Sequence, residues 1–223
     1  MIISCNELGL NITIDDYNSL VVVVEKHSNF VQLISAVRQT IDNTKECIVV
    51  TENEKKLNLS KEAIAIIDLW NIDCNSKQIK NKLYQLMLDV SNEQLDDRFI
   101  GLRTDLFRYI ENISDHIPYD ISYNMQLDPL SIFKCIDVEI NTVGENLMEQ
   151  LVEYMKLLQS LCKVKIIFFV NMKTFFSKEQ IELLYKEAYY INIQLVLIEH
   201  SVMEYLRNEK IVIIDQDDCI INI

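Results

Sequence analysis

His27, His116 and His200 are the chain's whole supply of side chains that titrate near neutral pH. Glu199-His200 follows the apolar run Ile193–Ile198, and residues just past a strand of this kind often form active sites in α/β folds. That pair could act as an acid–base or metal-binding couple in a cleft, although a loop or capping role is the plainer reading. His27 stands beside Glu25 and Lys26, and His116 has no such company. No HExxH, HxH or nucleophile-elbow pattern occurs. Phosphate chemistry meets a sharper obstacle. Loops that wrap phosphates need glycine, so that backbone N–H groups can converge on the anion. The turn after the first buried strand reads Glu25-Lys26-His27-Ser28-Asn29, without a glycine, and Gly9, Gly101 and Gly144 are isolated. Specific ATP or NAD binding is therefore not expected, while a relative that kept the sheet and lost the loop remains compatible.

Carboxylates are plentiful but dispersed. Asp215, Asp217 and Asp218 share one turn, and Asp15-Asp16, Asp96-Asp97 and Asp137 with Glu139 form other groups. Solvated turns explain them most simply. A hard cation such as calcium is the functional alternative, and none of them fits the twelve-residue EF-hand loop. Basic residues gather at Lys77, Lys80 and Lys82, at Arg98, Arg103 and Arg108, and at Lys156, Lys163 and Lys165. They suit phosphate contacts that position a duplex without reading bases. No aromatic residues interleave with them as a stacking platform would. The six cysteines form no CxxC pair, so zinc knuckles are not expected and free thiols in a reducing compartment are.

The elements that must position these groups follow from pattern. Leu8–Ile14 alternates as a half-buried strand, and Leu20–Val24 reads as an interior one. Ser28 offers a cap for a helix through Phe30, Leu33, Ile34, Val37 and Ile41, and Cys47–Val50 reads as the next strand of a parallel crossover. Helical periodicity then takes over: a helix from Ser60 with Ile64, Ile67 and Leu69, a second from Ser76, a third through Leu95–Ile113, and a fourth over Gly144–Cys162. Between the last two, Ile132–Ile140 suggests a short helix and strand. Strands return at Val164–Val170, Ile193–Ile198, Ile211–Ile214 and Cys219–Ile223, with a Ser177/Gln180 capping box and a short helix at Val202, Tyr205 and Leu206 between them. The expected architecture is one α/β domain built from 1–58 and 163–223, with a helical lobe at 59–162 inserted into it. With 34 acidic against 21 basic residues the net charge is −13, which disfavours generic attraction to DNA or anionic membranes unless lysines are locally concentrated. The apolar runs are too short to span a bilayer and no signal peptide is evident, so a cytoplasmic protein is expected.

Several stretches together resemble a known family. They are Val21–Glu25 with Phe30-Val31-Gln32-Leu33, then Ile67-Asp68-Leu69-Trp70-Asn71-Ile72-Asp73-Cys74-Asn75-Ser76, then Lys163–Asn171, Phe175-Phe176-Ser177-Lys178-Glu179-Gln180-Ile181 and Leu195–Glu199. In order and length they resemble the small adaptation protein of type II-A CRISPR systems across nearly the whole chain. The resemblance implies a degenerate P-loop-ATPase-like head with an inserted, mainly α-helical leg. It implies a homotetrameric ring that binds double-stranded DNA without catalysis, prefers DNA ends and takes part in acquiring new spacers. Other adaptation proteins and the effector nuclease are its implied partners. The residues expected to meet DNA are Lys26, Lys77, Lys80, Lys82, Lys163 and Lys165. Structural calcium is also implied, with Asp120, Asp128, Asp137 and Glu139 as candidate ligands. The competing expectations are an enzyme built on Glu199 and His200, and an oligomeric bridging scaffold without affinity for DNA.

Overall fold

Leu20 to Val24 is aliphatic on both faces, and such a strand is stable only where both faces are covered. The computed structural model, which describes residues 1–15, 18–141, 144–201 and 204–223, places it at the centre of the fold. The chain opens with β1 (Ile2–Cys5), β2 (Leu10–Thr13) and β3 (Ser19–Val24), followed by α1 (His27–Ile41). Next come β4 (Ile48–Glu52), β5 (Lys55–Lys56), the single turn α2 (Leu59–Glu62) and β6 (Ala63–Ile66). Three helices follow, α3 (Lys77–Gln94), α4 (Asp96–Ser114) and α5 (Pro129–Cys135). The chain closes with α6 (Leu147–Ser160), β7 (Ile166–Val170), α7 (Lys178–Tyr190), β8 (Gln194–Glu199), β9 (Glu209–Ile214) and β10 (Ile220–Asn222).

Two sheets result. The larger has the order β10-β9-β3-β8-β7-β6 and is parallel except for the antiparallel edge strand β10. Val23 pairs with Glu199 of β8 on one side and Ile213 of β9 on the other, so an N-terminal strand is flanked by two C-terminal ones. The smaller sheet, β2-β1-β4-β5, is antiparallel. One continuous core joins Ile3, Ile12, Ile48 and Val50 of the small sheet to Leu33, Ala36 and Val37 of α1 and to Val22, Phe168, Val196 and Val212 of the large sheet. Helix α1 is thus the layer between the sheets. Alternate residues of the large sheet, among them Val21, Phe169 and Leu197, point to its other face and are equally buried. Leu184 and Tyr185 bury the inner stripe of α7, which packs on β8 and α6. Ser177 and Gln180 close the expected capping box at its start.

The chain divides into a unit of Met1–Cys74 with Thr142–Ile223 and a helical unit of Asn75–Asn141. The described architecture is therefore a mixed α/β fold with a helical lobe inserted into a β-sheet core. The helical unit is shorter than 59–162, because β6 and α6 both belong with the sheet. Several local expectations are corrected here. Residues 63–66 form an edge strand on β7 where a helix through Ile64 was expected, since pairing outweighs a helical period this short. Cys47–Val50 does not complete a parallel crossover: β4 pairs antiparallel with β1, and the parallel return from β3 and α1 comes at β6. Helix α1 starts one residue before Ser28, with Lys26 at the cap position. Residues 136–141 after α5 form no strand, and Tyr205 and Leu206 are not helical. Asp16 and Val202 lie outside the described residues. All six thiols are free, Cys135 and Cys219 exposed and the other four buried.

One buried charge cluster fastens the crossover between β8 and β9. Lys173 lies in a 3-10 turn, Met172–Thr174, after β7. Its ammonium sits 2.7 Å from Glu209 Oε1 and donates to the Glu204 carbonyl at 3.1 Å, and the side chains of Lys173 and Glu209 are 5% and 0% exposed. The Tyr185 hydroxyl donates to the same carboxylate at 2.6 Å, and the Leu206 N–H donates at 3.0 Å. Burial and the adjacent Glu209 charge hold the Tyr185 phenol far above its ordinary range. Removing one partner of a buried pair strands the other charge. Lys173→Met is expected to destabilise the protein by about 3–5 kcal/mol in a urea titration. The double variant Lys173→Met, Glu209→Gln is expected to recover much of that loss.

Candidate functional site

The carboxyl ends of β3, β7 and β8 meet where a parallel sheet usually offers a ligand crevice. Here that place is filled by the chain's own groups. Asn171, at the end of β7 with φ 53°, accepts the His200 N–H at 3.3 Å. His200 Nδ1 lies 2.9 Å from the Val24 carbonyl. Its ring stacks on His27, the first residue of α1, with centroids 4.3 Å apart and planes at 29°. At the same helix start, Asp218 reaches in from the β9–β10 turn. It accepts from Lys26 Nζ at 2.7 Å and from Asn29 Nδ2 at 2.5 Å. The two hydrogen bonds hold the Asp218 carboxyl below the usual range. The turn itself is stable for local reasons: Asp215 Oδ1 accepts the N–H groups of Asp217 and Cys219. An internal carboxylate thus stands at the helix terminus that would have to face a phosphate.

Glu199 and His200 do not work together. Neighbours along extended backbone point to opposite sides, and the two side chains have separate partners. Glu199 is 1% exposed and accepts the Lys173 N–H at 3.0 Å. Burial pushes its carboxyl up to about 7, against the opposing pull of that hydrogen bond and of the Lys173 charge. A catalytic cleft with this pair is ruled out by the geometry: the carboxylate is sealed beneath the surface and the imidazole is committed to Val24 and His27.

The residues expected to meet DNA fall into two groups. Four are engaged within the chain. Lys26 pairs with Asp218, and Lys165 with Glu62 at 3.0 Å and Glu52 at 3.5 Å. Lys80 pairs with Asp137 and Glu139 at 2.7 and 2.8 Å. Lys163, with φ 59° after α6, donates to the Ser160 carbonyl at 2.8 Å. Lys77 and Lys82 on α3 are exposed and make no ion pair among the described residues. Arg98 and Arg103 of α4 are likewise unpaired, whereas Arg108 is held by Asp105 at 3.0 Å. Composition did not reveal one further juxtaposition. A groove of about 380 Å³ brings Lys186, Tyr189, Tyr190 and Arg207 together, with Lys186 Nζ 5.9 Å from the centre of the Tyr190 ring. The available signal was the spacing of Lys186 and Tyr190, one helical turn apart on α7.

Three of the four carboxylates expected to hold calcium are engaged by other groups of the chain. Asp128 caps α5 by accepting the Ser131 N–H at 2.7 Å. Asp137 and Glu139 are held by Lys80, and Asp120 is exposed in a segment without regular structure. Calcium takes six to eight oxygen ligands. Among the described residues no three acidic, histidine or cysteine side chains converge on a metal-sized position. Nor is any described helix long and apolar enough to cross a membrane.

The α/β sheet has its phosphate position covered by its own aspartate, and the helical insertion bears cations without an ion pair among the described residues, an arrangement suited to binding an anionic partner. Residues 40–218 match the family Cas_Csn2, CRISPR-associated protein. The chain belongs to this family, the one that the sequence stretches resembled. Its role is accordingly a non-catalytic, DNA-binding one in CRISPR spacer acquisition.

The buried carboxyl at the end of β8 makes stability depend on pH. Its folded pKa of about 7 lies above the ordinary 4.5, so the fold favours the protonated form. That contribution is fully present below pH 4.5 and is lost as pH rises through 7, a change of about 3 kcal/mol. The melting temperature of the native protein is expected to fall from about pH 5 to about pH 8. Glu199→Gln is expected to flatten that slope.

Proposed function

We propose that the protein acts as a homotetrameric ring that holds double-stranded DNA by its phosphates, prefers duplex ends, and presents that DNA to other adaptation proteins and the effector nuclease. The reading rests chiefly on Lys77 and Lys82. They are cations that a phosphate can approach without displacing a carboxylate of the chain. Lys26, Lys80 and Lys165 would have to exchange an existing ion pair, and so are secondary contacts in this reading. A chain of net charge −13 binds a polyanion only where such cations are concentrated, and assembly repeats each of them by symmetry.

The same reading treats the α/β unit as a P-loop-ATPase-like head that lost its loop. The parallel strands support it. Numbered among themselves, they lie in the order fifth, first, fourth, third, second, with the first strand interior and running directly into α1. In that layout the turn from first strand to first helix is the place for a phosphate loop, and here it is glycine-free and covered by Asp218. ATP is then not a ligand.

Mobility shifts with linear and closed-circular duplexes at two salt concentrations test the proposal. Linear DNA is expected to bind with little sequence preference, and its affinity to fall steeply with salt as counterion release is lost. Replacing Lys77 and Lys82 by Gln is expected to weaken binding uniformly across sequences. It should also lower the slope of log affinity against log salt by about 0.9 for each phosphate contact removed. An assembled oligomer that ignores linear DNA at low salt overturns the proposal in favour of a bridging scaffold. Equal affinity for both topologies removes the preference for ends.

A further inference from the structure

The helical unit begins at Asn75 and ends at Asn141, and its two ends are fastened to each other. Asn75 Nδ2 donates to the Ile140 carbonyl at 3.1 Å, and Asn75 Oδ1 accepts the Ile140 N–H at 2.8 Å. One turn into α3, Lys80 Nζ lies 2.7 Å from Asp137 Oδ1 and 2.8 Å from Glu139 Oε1. Asp137 adopts φ 49° just past the end of α5, a left-handed conformation that turns the chain back toward α3. The carboxylates are mostly exposed, at 70% and 50%, but the Lys80 side chain is only 20% exposed. Its hydrogen bonds to Asp137 and Glu139 hold the ammonium well above its ordinary pKa.

Two carboxylates brought this close repel each other unless a cation lies between them. A divalent ion is one solution, and the family resemblance implies calcium. The structure contains another. An ammonium carries three donors on a flexible stem and can satisfy two acceptors at once. We propose that the Lys80 ammonium takes the place of a divalent cation between Asp137 and Glu139, and so joins the first and last segments of the helical unit without a metal. The unit's closure is then built into the sequence and does not vary with calcium concentration. Lys80 is correspondingly no more than a secondary contact for DNA.

Thermal melting of the full-length protein tests this, with millimolar calcium chloride or with a chelator. The native protein is expected to melt at the same temperature in both. Lys80→Met leaves the two carboxylates facing each other. It is expected to lower the melting temperature in chelator by about 5 °C, and calcium should restore part of the loss. Lys80→Arg, which keeps a cation with several donors, is expected to melt near the native protein and covers the case in which Lys80→Met fails to fold. Adding Asp137→Asn and Glu139→Gln to Lys80→Met should remove the calcium response. A native protein whose melting rises with calcium, and loses that rise in Asp137→Asn, Glu139→Gln, overturns the proposal, because the pair then holds calcium despite Lys80. A Lys80→Met variant as stable as the native protein in chelator, or one that calcium does not raise, overturns it as well.

Discussion

The pairing of β3 with β8 on one side and β9 on the other is the constraint on which the rest of the structure depends. It joins opposite ends of the chain in one ladder, so no part of the sheet is complete until nearly all of the sequence is present. Such long-range parallel contacts are slow to form, because the intervening chain must be closed into a loop first. The inserted unit reduces this difficulty by folding on local contacts. Helix α3 packs on α4 and α5, and the Asn75–Ile140 bonds bring its own ends together. What the sheet must close around is then a folded body rather than a free loop.

A second regularity is that this acidic protein meets its electrostatic needs internally. Asp218 supplies the negative charge at the N-terminus of α1, where the helix dipole favours an anion. Lys80 supplies the positive charge between Asp137 and Glu139. Lys173 and Glu209 neutralise each other beneath the surface, with Tyr185 completing the carboxylate's hydrogen bonds. In each case the charge is met by a tethered side chain of the same chain. A tethered charge surrenders less entropy on binding than a free one, and it is independent of solution concentration. The consequence is a scaffold with few open sites of its own, which suits a protein whose work is to hold a large ligand rather than transform a small one.

The sequence made some of this visible and hid the rest for physical reasons. Elements whose pattern is settled locally were legible: the buried runs at Leu20–Val24 and Ile166–Val170, the capping box at Ser177, and the change of period that marks the inserted lobe. Elements decided by tertiary pairing were not. Ala63–Ile66 has too few residues to distinguish a strand from a helix, and only its partner β7 settles the matter. Strand β1 gave no clear signal in Ile2–Cys5, and it redirects β4 into a second sheet. The missing phosphate loop could be read from the lack of glycine in Glu25–Asn29. The aspartate that closes the site could not, because Asp218 lies at the far end of the chain. Lysine positions were equally easy to find and hard to interpret, since their availability depends on carboxylates that only the fold brings near.

That last point bears on how a protein of net charge −13 can hold DNA at all. Total charge controls the far field, and at physiological ionic strength that field is screened beyond about 8 Å. What a phosphate meets at contact is the local inventory of cations not already neutralised. Ion pairing within the chain removes Lys26, Lys80, Lys156 and Lys165 from that inventory, and among the cations it leaves are Lys77, Lys82, Arg98 and Arg103 on two consecutive helices of the inserted unit. Selectivity of this kind has a useful corollary. With 34 acidic against 21 basic residues, and several of the latter already ion-paired, the surface away from such cations repels nucleic acid. The same charge distribution that weakens non-specific attraction therefore confines any DNA contact to the few positions where cations stand alone.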